Sequence, residues 1–419
     1  MKDGWRTVTI GKLCDEGGGS VQTGPFGSQL HASDYVVDGI PFIMPANLGE
    51  NKVIENDIAR ISNADYQRLA KYQLKQGDII YGRRGDIGRR ALITKREEGW
   101  MLGSGCLRIR FGDADVDPRY VSYYLGLPEV KQQVLGKAVG TTMPNLNSAI
   151  IRSVPLTLPP LPIQRRIASI LGALDDKIEC NRRINQTLEQ MAQALYKHWF
   201  VDFAPFRGEG MVESELGEIP RGWEVKPIGE VVDTIGGGTP STSNPDLWTN
   251  GQINWYVPSD LTRAKSLFVT ESSKKINERG LAASAARLFP AYSVMLTSRA
   301  TIGEIAINRV EATTNQGFIA IVPNEKISLY QIVFWLRENM EKIQANAHGT
   351  TFKEITRGIF RTFPILVANN SEEYVRKSKA FFDQIESNIV ESELLARTRD
   401  YLLPKLMSGE IEIMDAENR

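Results

Sequence analysis

An internal repeat constrains this chain's fold more than any other feature, because whatever unit forms must form twice. Gly4-Trp5 followed by Ile10-Gly11 returns 218 residues later as Gly222-Trp223 followed by Ile228-Gly229. The glycine triplets Gly17-Gly18-Gly19 and Gly236-Gly237-Gly238 come next. LKQGDIIYGRRGDIG (74–88) then aligns with LFPAYSVMLTSRATIG (288–303) with one gap, which sets Arg84 beside Arg299 and Ile87-Gly88 beside Ile302-Gly303. Gly140-Thr141-Thr142 matches Gly349-Thr350-Thr351, and Arg152 with Pro155 matches Arg361 with Pro364. The order never changes, so a tandem duplication of about 210 residues explains the pattern.

Each copy has two textures. First come short strand-like runs (RTVTI, IPFIM, DIIYG, CLRIRF) punctuated by Gly, Pro and Asn, the pattern of a compact α/β or mainly β domain. The glycine triplets fit turns between such strands. One helix stands out inside each copy. Asp117 caps it and Pro118 starts it before RYVSYYL, and Ser328 with Gln331 forms a capping box before IVFWLRENMEKI. A long amphipathic helix then closes each copy. In the first, LPPLP (158–162) is an extended lead-in, after which Ile163, Ile167, Ile170, Leu174, Ile178, Ile184, Leu188, Met191, Leu195 and Trp199 recur at steps of mostly three and four. In the second, Asn370 and Glu373 resemble a starting box before Phe382, Ile385, Ile389, Leu395, Leu402 and Leu406, and Pro404 should kink or fray the last turns.

A helix of about 38 residues is roughly 57 Å long, too long to bury its stripe on one small domain, so it needs a partner helix. The fold expected is therefore α/β (α+β). Two repeated globular heads are held apart by a pair of long antiparallel coiled-coil helices and related by a pseudo-two-fold axis. The divisions are 1–160, first head; 161–206, first helix; 207–368, second head; and 369–419, second helix with the C-terminal tail.

The 50 Lys+Arg balance the 50 Asp+Glu, which argues against an overall basic nucleic-acid binder. The balance is uneven along the chain. Residues 1–160 carry +3, 161–206 carry +1, 207–368 are neutral and 369–419 carry −4, so any anion-binding surface is local. Within it, YGRRGDIGRR (81–90) places four arginines among glycines. Arg83, Arg84 and Arg89 suit guanine edges or phosphates, with Ser298, Arg299 and Thr301 as a thinner counterpart. The Gly-Thr-Thr segments offer backbone N–H groups and small hydroxyls. Lys137, Thr141, Thr142 and Asn145 belong to the first and Thr350, Thr351 and Lys353 to the second, and Asn145 aligns with Glu354, where the two heads are expected to differ. The alternatives, a solvated hairpin tip and a structural turn, stay open here. The loops around Ser20, Thr23 and Gln29, and around Thr239 and Ser241, are weaker candidates.

Catalytic signatures are missing. No GxxxxGK[ST] or GxGxxG loop occurs, no Asn-Pro-Pro-aromatic segment, and neither the three cysteines nor the three histidines have metal-ligand spacing. No apolar run suits a membrane span, and the first residues do not read as a secretory signal, so a cytoplasmic protein with reduced thiols is expected.

The duplicated unit, LPPLPIQRRIASILGALDDKIE (158–179) and the glycine loop Gly238-Thr239-Pro240 resemble the specificity subunit of type I restriction–modification systems over essentially the whole chain. That resemblance implies a non-catalytic double-stranded DNA-recognition subunit with two target recognition domains. Each would read half of a bipartite asymmetric site. The helices would set the spacer and dock methyltransferase subunits, two of them, which restriction subunits join. S-adenosylmethionine, ATP and magnesium would be bound by those partners and no cofactor by this chain. Copy two departs from the pattern in having ILVANNSEE where copy one has LPPLPIQRR. A coiled-coil scaffold unconnected with DNA and a stand-alone DNA-modifying enzyme are the rival readings.

Overall fold

The structure, a computed structural model, describes residues 4–26, 29–84, 87–138, 145–208, 210–349 and 353–413. It divides into two compact units, Met1–Lys177 with Leu394–Arg419, and Ile178–Glu393. Two long helices, Leu161–Phe200 and Glu372–Met407, each contribute one part to each unit.

In the first unit a five-stranded sheet runs in the order Gly18–Thr23, Cys106–Gly112, Ile79–Gly82, Arg90–Leu92, Glu50–Asn51. All neighbours are antiparallel except the last pair. A three-stranded sheet (Ala59–Ile61, Tyr35–Ile43, Met101–Leu102) and a short ladder joining Arg6–Thr9 to Pro155–Leu158 complete the unit. Successive strand residues point to opposite faces. Ile79 and Tyr81 therefore share a core with Leu107, Ile109, Tyr120, Val121 and the helix residues Ile167, Leu171, Leu406 and Met407. Ile80 and Cys106 turn the other way, to Phe42, Ile43, Ile61 and Met101. Burial on both faces is why this central strand reads as an unbroken apolar run.

The second unit repeats the topology strand for strand. Its five-stranded order is Asp233–Gly236, Phe318–Val322, Val294–Thr297, Ile305–Asn308, Phe268–Val269, again with only the last pair parallel. Its three-stranded sheet is Lys274–Ile276, Ile253–Tyr256, Ala312–Thr314, and Glu224–Pro227 pairs with Pro364–Val367. Val294 and Leu296 face the helical side with Ile319 and Ile321, while Met295 and Ala320 face Tyr256 and Phe289. The hairpin Met211–Ser214/Gly217–Pro220 has no counterpart among the described residues of the first unit.

The repeated motifs now have physical causes. A Cβ on Gly11 would lie 3.0 Å from Arg152 Cβ, and one on Gly229 would lie 2.6 Å from Arg361 Cβ. Each glycine thus makes room for the arginine repeated with it. Within the triplets Gly17, Gly19, Gly237 and Gly238 mark close backbone crossings rather than simple turns. Side chains at Gly19 and Gly237 would come within 2.0 Å of Arg110 O and 1.9 Å of Asn315 O.

Within the second unit the long helices run antiparallel. Asn181 Nδ2 donates to Glu391 Oε2 (2.8 Å), Asn388 Nδ2 donates to Asn185 Oδ1 (2.8 Å), and Tyr196 and Phe200 pack on Tyr374. Asn181 and Asn388 are buried there, and buried amides of this kind penalise slipped registers. In the first unit Arg399 Nη1 lies 2.7 Å from Asp175 Oδ1, with Leu406 in one core with Ile167 and Leu171.

Several expectations about the helices need correction. The first begins at Leu161 with Pro162 in its opening turn, where a missing N–H costs nothing. Buried Gln164 anchors that end, donating to Pro159 O (2.8 Å) and accepting from Asp117 N (3.0 Å). Ile170, Ile184 and Met191 are exposed, and Ala168, Asn181 and Ala192 are buried in the stripe instead, because close helix packing favours small and paired polar residues. Asn370 lies before the second helix, which starts at Glu372, and its Oδ1 accepts from the Trp223 indole (3.1 Å). Pro404 does not fray the last turns of that helix, which continues to the buried Leu406 and Met407. Asp117 and Ser328 cap as expected, but Gln331 spends its side chain on Leu366 O (2.7 Å) rather than closing the box.

Candidate nucleic-acid interface

In both units the backbone joins the repeated arginine to the residues after Gly-Thr-Thr. In the first, Arg84 and Asn145 form an isolated antiparallel bridge, with Leu146 N donating to Arg83 O (3.0 Å) and Arg83 N donating to Gly105 O (2.7 Å). In the second, Arg299 and Glu354 form the same bridge, with Ile355 N donating to Ser298 O (2.9 Å) and Ser298 N donating to Gly317 O (2.8 Å). The glycine loop joins too. Ser104 Oγ donates to Pro25 O (2.9 Å) in the first unit, and the Thr239 hydroxyl lies 2.6 Å from Gln316 Oε1 in the second. Segments distant in sequence thus meet at one junction per unit, at equivalent positions, and leave side chains outward on a pinned backbone.

Those side chains differ. In the first unit Arg83 is half-buried, and its Nε donates to Asn145 Oδ1 (3.0 Å) and Leu146 O (3.1 Å). Its guanidinium stands 5.9 Å from the ring centroid of Phe26, a cation–π contact with a ring that is 58% exposed. Arg84 and Arg89 are exposed, as is Lys137, which caps the helix Pro128–Gly136 and reaches Ser153 Oγ at 3.4 Å. In the second unit Arg299 Nε lies 3.7 Å from Glu354 Oε2, with both side chains exposed (51% and 37%). Ala300 and Thr301 are exposed, Ala300 is in the left-handed region (φ 63°), and its N–H donates to the carbonyl of exposed Lys353 (3.0 Å). Ser298 is only 2% exposed. It belongs to the floor of the junction, its N–H and carbonyl both used by neighbouring loops, and not to the outward surface expected of it.

Thr141, Thr142, Thr350 and Thr351 lie outside the described residues. Phe26 was not among the candidates, and Glu354 entered only as the residue aligned with Asn145 after Gly-Thr-Thr, where the two heads are expected to differ. Phe26 hides in a Pro-Gly-rich turn, and Glu354 carries the wrong charge for a search guided by phosphate. The alignment of Glu354 with Asn145 was the available signal.

Among the described residues no group of three His, Cys, Asp or Glu could hold a metal ion, and no helix is long and apolar enough to cross a membrane. Burial pushes the Cys14 thiol up to about 11 and raises Cys106 further, while Cys180 is exposed.

Comparison with known proteins agrees with the duplication. A family model described as "Type I restriction modification DNA specificity domain" matches residues 2–190 and again 220–394. The chain is 25% identical to the HindI type I restriction enzyme specificity subunit of Haemophilus influenzae, over 89% of this chain and 94% of that one. It is also 25% identical to the MjaIX specificity subunit of Methanocaldococcus jannaschii, over 98% and 94%. In fold it is similar to the crystal structure of the S subunit of a type I restriction–modification system from M. genitalium (TM-score 0.56, 14% identity, 96% of each chain).

Proposed function

The chain belongs to the type I restriction–modification specificity-subunit family, with a target recognition domain in each half, and from that premise we propose that each unit reads one half of a bipartite, asymmetric DNA sequence through its loop junction. The observation that carries this reading is one junction built twice with different residues, Arg84 and Asn145 against Arg299 and Glu354. A shared floor gives both units the same way of meeting a duplex, and divergent residues above it give different half-sites. Arginine can donate two hydrogen bonds to guanine O6 and N7, whereas contacts to phosphate hold the duplex without reading it.

The long helices act as the spacer between half-sites, about one helical turn apart so that equivalent groove faces are met, and dock methyltransferase subunits, two per complex. Those subunits bring S-adenosylmethionine and methylate adenine. Restriction subunits joining them bring ATP- and magnesium-dependent cleavage. This chain binds no cofactor and catalyses nothing itself, and it acts in the cytoplasm. The local charge fits an adaptor of this kind, since partners that clamp DNA supply the phosphate contacts that a neutral chain lacks.

The test is competition binding by the reconstituted specificity–methyltransferase complex. A selected bipartite duplex should outcompete random duplex by about 10³-fold or more. Equal competition would favour a scaffold without sequence preference, and cleavage or methylation by the purified chain alone would favour an enzyme.

A further inference from the structure

The same junction holds a carboxylate where a surface built only to attract phosphate would not. Glu354 is pinned through its backbone, its N–H donating to His348 O (2.8 Å) and its carbonyl accepting from His348 N (2.9 Å). Its neighbours are tied as well, Lys353 O to Ala300 N and Ile355 N to Ser298 O. Three strands of backbone therefore fix where this one exposed side chain starts. Among the described residues the carboxylate meets only Arg299, at 3.7 Å, outside hydrogen-bonding distance. An exposed pair of this kind adds little stability, so folding alone gives no reason for the carboxylate. Beside a phosphate backbone it is repelled unless a donor meets it. The donors a duplex offers in its major groove are the exocyclic amines of cytosine and adenine, and Glu pairs with cytosine N4.

Resting on the DNA-reading proposal above, we infer that Glu354 is a specificity-determining residue of the second unit, accepting from the N4 amine of a cytosine, with Arg299 beside it donating to an adjacent guanine edge. The first unit differs at the matching place. Asn145 Oδ1 already accepts from Arg83, so its amide is left to donate, and the first junction presents donors to acceptor-rich guanine or adenine edges.

The experiment uses the specificity–methyltransferase complex carrying Glu354→Gln or Glu354→Ala, with methylation measured on duplex libraries randomised in one half-site at a time. Preference for a C·G pair at one position of the second half-site should fall about 10- to 100-fold with alanine. With glutamine, which pairs with adenine N6 and N7, that position should move toward adenine. The first half-site should not change in either variant. An unchanged second half-site in both variants would overturn the inference and leave the DNA-reading proposal standing. So would an Arg299→Ala complex with the same altered profile as Glu354→Ala, because Glu354 would then only hold Arg299. A uniform loss over all sequences, with a lowered melting temperature, would assign Glu354 to folding and overturn the inference too. No preference in either half-site of the unmodified complex would overturn both proposals.

Discussion

The junctions of the two units share a backbone and differ in chemistry. Arg84 with Asn145, and Arg299 with Glu354, occupy the same bridge above the same pair of backbone bonds, to Gly105 in one unit and Gly317 in the other. Below them the strand order, the directions and the two-faced burial of the central strand are the same. Above them the first unit presents Arg83 over an exposed phenylalanine with Arg84 exposed beside it in sequence, and the second presents one arginine beside a carboxylate. Duplication has kept what the core and the glycines require and let the rim diverge. Two different half-sites read by one kind of device, as proposed above, would require this pattern.

That contrast can be broken at several depths. The deepest is the core. Phe382→Ala removes a fully buried ring packed against Tyr330 and Phe334 in the second unit, and should cost about 3–5 kcal/mol in denaturant unfolding. Any complex that still assembles should keep both half-site preferences. At the rim, Arg84→Ala should cost about 1–3 kcal/mol of discrimination in the first half-site and leave the second intact. Equal loss at both would make Arg84 a general phosphate contact. Gly105→Ala acts between these levels. It forces a side chain into a left-handed position (φ 79°) with its Cβ 3.1 Å from Pro45, and should lower stability by about 1–2 kcal/mol. The smallest effect is chemical. Of the three thiols only Cys180 should react with a thiol reagent under native conditions, because Cys14 and Cys106 are buried and their thiols held protonated.

The duplication was legible in the sequence because each repeated pair answers to a backbone requirement, as Gly11 with Arg152 and Gly229 with Arg361 show. The helices were legible as elements but not in detail. Counting apolar residues missed buried Asn181, Asn388 and Ala192 and wrongly included Ile170 and Met191, because the helix buries a face that is partly small and polar. Pro404 does not fray the last turns, because local propensity yields to the packing of Leu406 and Met407 on the first unit's core. The junction was half legible. Alignment placed Arg84 with Arg299 and Asn145 with Glu354, but their meeting depends on backbone bonds spanning about 60 residues, which no local pattern encodes. Ser298 looked like a contact residue and is floor.

The spacer proposal has its own test: removing seven residues from each long helix, about 10 Å of rise, should change the preferred spacer and neither half-site. An unchanged spacer would contradict it. The central claim, one reading device used twice with different contents, is tested most directly by mapping methylated adenines across the genome of a cell carrying this chain and its methyltransferase partner, unmodified and as Arg84→Ala. A bipartite asymmetric motif of which Arg84→Ala alters only one half is the expected result. A contiguous motif, two identical half-sites, or both halves altered together would contradict the account.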